Sequence, residues 1–122
     1  LEVKAPDWAC FYRVAAEGVV ALCGLHPGKN GTTRLRRTFT EGTPEDVLVA
    51  WLNEMIFLLG TKKLRPAKIK VIGAGPQRLR IEMTACRAGD LRLEREIKAA
   101  TYHGLRVAAG RRGIHARVIL DV

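Results

Sequence analysis

The sequence predicts an α+β fold: two helices packed on one face of a largely antiparallel β-sheet. Three observations carry that expectation. Residues 43–60 read as a long, well-capped apolar helix. Residues 77–85 alternate strictly, with Leu79, Ile81 and Met83 against Arg78, Arg80, Glu82 and Thr84. That alternation marks a strand with one face on a core and one in water. Finally, a hairpin and two more strands follow the second helix, which makes the sheet largely antiparallel.

In chain order, "LEVK" (1–4) reads as the end of a strand. Residues 5–24 form the first helix, with Asp7 as its cap and an apolar stripe of Trp8, Phe11, Ala15, Val19 and Leu22 at spacings of three and four. Gly24 supplies the stop, and "HPGKNG" (26–31) a loop. "TTRLRRTFT" (32–40) is a strand with Leu35 and Phe39 on one side. In the second helix Thr43 is the cap, Pro44 stands at the first helical position, and Asp46 lies where a capping-box acid belongs. Glu45 and Asp46 also suit the positive end of the helix dipole. Residues 67–73 and 77–85 form a hairpin through "AGPQ" (74–77), and 88–94 is a connection. Residues 95–107 and 114–122 read as two further strands joined by the turn "AAGRRG" (108–113).

At 122 residues the chain fits one domain, 1–122, in which about two-thirds of the unfolded surface can be buried. No apolar run approaches the roughly 18–20 residues of a membrane span, and the first residues lack the features of a signal peptide. Cys10, Cys23 and Cys86 are isolated thiols without C-x-x-C spacing, which points to a reducing cytoplasm and to small core hydrophobes.

The formal charge of +9 invites a polyanionic partner. Residues 61–80 carry seven basic residues and no acid, and "RLRR" (34–37) and "RR" (111–112) add two more patches. Lys62, Lys63, Arg65, Lys68 and Lys70 are therefore candidate RNA contacts. Few aromatic residues interrupt them, so no stacking platform for single strands is visible.

Three constellations bear on chemistry. Asp121 and Val122 bring a side-chain carboxylate, a backbone carbonyl and the terminal carboxylate within two residues. Hard cations such as Ca²⁺ take six to eight oxygen ligands, so at least one more carboxylate must come from elsewhere. Tyr102 and His103 are acid–base candidates, which strand geometry would turn to opposite faces. His26 and His115 are too far apart, and too far from any cysteine, to suggest zinc. No nucleophile elbow, P-loop or dinucleotide fingerprint occurs. With no oriented base or nucleophile evident, a stand-alone enzyme built on His103 is the weakest reading.

Taken together, "EIKAATYHGLRV" and "ARVILDV" resemble the closing signature of the archease family. "PEDVLVAWLNEMIFLL" is similar to that family's acidic-capped core helix, and "LEVKAPDWACFYRVAAEGVVAL" to its first strand and helix. The resemblance covers most of the chain in order. It implies a non-catalytic cofactor protein that activates the GTP-dependent RNA ligase of tRNA splicing, promoting guanylylation of the ligase's active-site histidine and multiple turnover. It further implies a divalent-metal site, Ca²⁺ first with Mg²⁺ or Mn²⁺ as alternatives. That site joins an Asp in an N-terminal "H-T-A-D" segment to the penultimate Asp and the final residue, positions held here by Asp121 and Val122. Lys98, Tyr102 and His103 fall on a neighbouring polar surface, with Lys98 the expected functional contact. Two departures stand out. The "H-T-A-D" segment should precede Leu1 and is not in this sequence, and typical members are acidic where this chain is basic. The alternative reading is a basic, tRNA-binding module acting through the 62–80 surface.

Overall fold

The computed structural model describes residues 1–25, 31–40, 42–87 and 92–122. The elements are β1 (Glu2–Ala5), α1 (Trp8–Leu22), β2 (Thr33–Thr40), α2 (Pro44–Gly60), β3 (Leu64–Gly75) and β4 (Arg78–Arg87). Short strands β5 (Ala99–Ala100), β6 (Ala108–Gly110), β7 (Gly113–Arg117) and β8 (Leu120–Asp121) complete the order. The α+β class stands, but the expected single sheet is divided into three antiparallel pieces, ordered β1-β7-β6, β2-β4-β3 and β5-β8.

Both helices begin where the caps predict. The Asp7 carboxylate accepts from the Cys10 N–H at 2.8 Å, and Thr43 Oγ1 accepts from the Asp46 N–H at 3.1 Å. Gly24, at φ +79°, ends α1, with its N–H on Ala21 O and the Leu25 N–H on Val20 O. The loop expected at 26–31 lies largely outside the described residues, and so do His26 and most of the 88–94 connection.

The inward face of β2-β4-β3 lies on the helices. Phe39 meets the Trp51 ring edge-on at 5.8 Å, and Leu79, Ile81 and Met83 are buried, as their alternation requires. Trp51, fully buried, donates its indole N–H to Tyr12 O at 2.8 Å, tying α2 to α1. Inward-facing Arg37 is neutralised by Glu54 of α2 at 3.1 Å. Of the three thiols Cys23 joins the core, whereas Cys10 and Cys86 are half-buried rather than core residues.

The C-terminal third departs most from expectation. Residues 95–107 are not one strand. Pairing lasts for Ala99 and Ala100 alone; the chain then turns at His103 and Gly104, the latter at φ +61°. The 108–113 "turn" is instead a tight hairpin, with Gly110 opposite Gly113 and Arg111 and Arg112 at its tip. Residues 114–122 break at Val118, where the chain leaves β1 and β6 and moves over to β5. Burial of Val118 and its backbone bond to Leu1 O fix that break. Period-two alternation cannot distinguish one long strand from two short ones that pair with different partners.

Candidate functional site

The C-terminal end is built around β5 and β8. Ala99 stands opposite Asp121 and Ala100 opposite Leu120. The Lys98 N–H donates to Asp121 O at 2.7 Å, while the Thr101 N–H and hydroxyl both donate to Ile119 O, at 3.0 and 2.8 Å. A side chain that sequence reasoning missed, Asn53 of α2, accepts the Ala100 N–H at 2.8 Å. Two residues of β-pairing form a short ladder, so the bond to Asn53 is what anchors β5 on the core. Lys98 and Asp121 are thereby brought together at the backbone, each with an exposed side chain.

Tyr102 does not share a strand face with Lys98, contrary to the alternation expected of residues 95–107. The backbone leaves the ladder after Ala100 and carries Tyr102 to the N-terminus of α2. There its hydroxyl donates to Asp46 Oδ1 at 2.7 Å, and the Thr43 hydroxyl donates to Asp46 Oδ2 at 2.8 Å. These two bonds, Tyr102's first, hold the Asp46 carboxyl below its ordinary range. Glu45 Oε1 accepts the Val107 N–H at 3.1 Å. The first-turn acids of α2 therefore do more than complement its dipole: they hold residues 102–107 across the helix end. His103 is exposed at the tip of this turn.

Two buried groups elsewhere are kept uncharged. Burial, then the nearby Glu45 charge, pushes the Tyr12 phenol well up, and its hydroxyl donates to Gly75 O at 2.9 Å. Burial likewise raises the Cys23 thiol, which suits a packing role. His115 lies on β7 beside Glu2, at 3.1 Å, and its hydrogen bond is the chief cause of the lowered Glu2 carboxyl.

Among the described residues no group of three or more His, Cys, Asp or Glu side chains could hold a metal ion. Asp121 and Val122 by themselves fall short of the six to eight oxygens that Ca²⁺ takes. One geometric fact bears on what could add to them. Leu1 and Val118 exchange both backbone hydrogen bonds, at 2.9 and 2.7 Å, so the β1–β7 ladder runs to the first residue.

The expected RNA contacts separate into two places. Lys62 and Lys63 lie in the α2–β3 link, with the Lys62 ammonium 5.7 Å from the centre of the Phe57 ring and Lys63 at φ 55°. Arg65 is half-buried opposite Cys86. Lys68 and Lys70 are exposed on the wet face of β2-β4-β3, in register with Thr84 and Glu82. The sequence grouping 62–80 thus joins residues that the fold separates. It also omits Arg34 and Arg36 of β2, which the register adds to the same face.

The comparisons with known proteins agree with this architecture. The model of the archease protein family (MTH1598/TM1083) matches residues 1–122. A solved structure described as an archease, possible chaperone (TM1083), from Thermotoga maritima superposes with a TM-score of 0.72 at 20% identity. The match covers 100% of this chain and 88% of that one. No match was found among curated proteins. Among the described residues no helix is long and apolar enough to cross a membrane. By its family-wide match from first residue to last, this chain belongs to the archease family.

Proposed function

We propose that this archease is a non-catalytic cofactor protein of the GTP-dependent tRNA-splicing RNA ligase. In this reading it works in the cytoplasm, promoting guanylylation and turnover of the ligase with a divalent cation, Ca²⁺ first, at its C-terminal end. The description of the Thermotoga maritima relative as a possible chaperone supports a role exercised on another protein.

The observation that carries the metal reading is the end of the β1–β7 ladder. Leu1 and Val118 form a doubly bonded pair, so residues preceding Leu1 in a longer chain, were they to continue that register, would run alongside Ile119, Leu120 and Asp121. An upstream carboxylate would there meet Asp121 and the carboxylate of Val122 and add to their oxygens. A bound cation would add positive charge beside the Asp121 side chain and the terminal carboxylate. Lys98, Tyr102 and His103 would present the surface that the ligase contacts, held by Asn53, Asp46 and Glu45 behind them.

The test is single-turnover guanylylation of the ligase with and without the protein, at fixed Ca²⁺, beside the Asp121→Ala variant. Acceleration that falls about tenfold in the variant, together with weaker Ca²⁺ binding by calorimetry, is expected from losing one carboxylate ligand. Full acceleration by Asp121→Ala would remove the metal from the reading. No acceleration by the parent protein would remove the ligase.

A further inference from the structure

The solvent face of β2-β4-β3 has an unusual charge pattern. Its register rows run Arg34–Thr84–Lys68, Arg36–Glu82–Lys70, Thr38–Arg80–Gly73 and Thr40–Arg78–Gly75. Wet antiparallel faces commonly gain from opposite charges set across from one another, and like charges in that position repel. In these rows six cations stand with one described acid, Glu82, whose Oε1 lies 3.3 Å from Arg36 Nε. The other cross-strand neighbours are threonines and glycines, which neutralise nothing.

The shape of the face fits its charge. A recess of about 190 Å³ brings the cations Arg34, Arg36, Lys68 and Lys70 around Glu82, Thr84, Leu35 and Met83. Gly73 keeps the neighbouring row low: a Cβ there would come within 2.9 Å of Arg78 Nη2, so the guanidinium lies across the sheet above the glycine. Cations two residues apart on one strand are about 6.6–6.8 Å apart, and neighbouring strands about 4.8 Å. The result is a grid of long, flexible cations among threonines and glycines, with Ile72 exposed at the β3 bulge beside Gly73. The acids of α2, Glu45, Asp46 and Glu54, belong to the helical layer rather than to this face.

We propose that this face binds a polynucleotide strand through its phosphodiester backbone, without reading sequence. Arginine forks and lysine ammoniums would take the phosphate oxygens, and the threonine hydroxyls could donate between them. The charge complementarity is what selects this partner, since the face offers no aromatic stacking platform. The inference does not depend on the metal or ligase reading, and the two are measured separately.

The experiment is fluorescence anisotropy of a short fluorescein-labelled RNA across a salt series. The parent protein is compared with the triple variant R34Q/K68Q/R80Q and with R106Q/R111Q/R112Q, which removes equal charge from exposed positions elsewhere. With all six cations engaged, the slope of log affinity against log salt is about −4 for a single strand. The face variant should flatten it by about 2, at roughly 0.7 per lost phosphate contact, and the control variant should not. Circular dichroism melting of each variant checks that folding is retained. Three results would overturn the proposal: no binding at low salt, equal losses in both variants, or equally effective displacement of the RNA by polyglutamate. The last would assign the face to an acidic protein.

Discussion

Asn53→Ala removes the oxygen that accepts the Ala100 N–H at 2.8 Å across the half-buried junction between α2 and β5. Leaving a buried donor without its partner costs about 1–3 kcal/mol, and partial access of water keeps this site toward the lower end. Alanine is the better helix former by about 0.6 kcal/mol, which offsets part of the loss. The net destabilisation should therefore be about 0.5–1.5 kcal/mol. An unfolding entropy of about 2.1 cal/mol/K per residue converts this to a fall in Tm of about 2–6 °C. Asn53→Asp is the control, because it keeps an acceptor at the same place and should hold stability within about 0.5 kcal/mol of the parent. Thermal denaturation gives the global number, and amide hydrogen exchange at Ala100 gives the local one. If the tether works as described, that amide exchanges several-fold faster in the alanine variant, since 1 kcal/mol is about a fivefold change in opening. Unchanged exchange at Ala100 would refute the idea that Asn53 anchors β5. A fall in Tm without it would place the loss elsewhere in α2.

Two further outcomes follow from contacts elsewhere in the fold. Tyr102→Phe removes the largest of the causes that depress Asp46, so its carboxyl should titrate closer to its ordinary range, as read by carboxyl NMR. A depressed folded pKa contributes stability above the ordinary carboxylate value and loses it as pH falls through the lowered one. The parent should therefore outperform the variant at neutral pH and converge with it in acid; an unmoved Asp46 titration would contradict this. Gly113→Ala forces an L side chain to φ +105° and drives its Cβ into the Ala5 carbonyl oxygen, so β1 must separate from β7. A loss of about 2 kcal/mol or more in urea denaturation is expected, and near-parental stability would count against this strained backbone.

Local chemistry was legible in the sequence wherever it decided the outcome. Asp7, Thr43 and Pro44 set the two helix starts, and Gly24 ended the first, because caps satisfy backbone groups within a few residues. The strict alternation of residues 78–84 set the inner and outer faces of the central strand. What remained out of reach was partnership between distant segments. Nothing in "LEVK" announces that it pairs with residues 115–118, or that residues 95–107 will exchange strand pairing for a turn held by Glu45 and Asp46. Asn53 looks like one polar position on an apolar helix until Ala100 arrives beside it. Arg34 and Arg36 join Lys68 and Lys70 because β4 intervenes between β2 and β3, and that order is a tertiary fact. The sequence by itself determined the helices, the wet and dry strand faces and the excess of positive charge. The tertiary structure alone decided which strands meet, because a two-residue period records which way a side chain points but not which strand lies next to it.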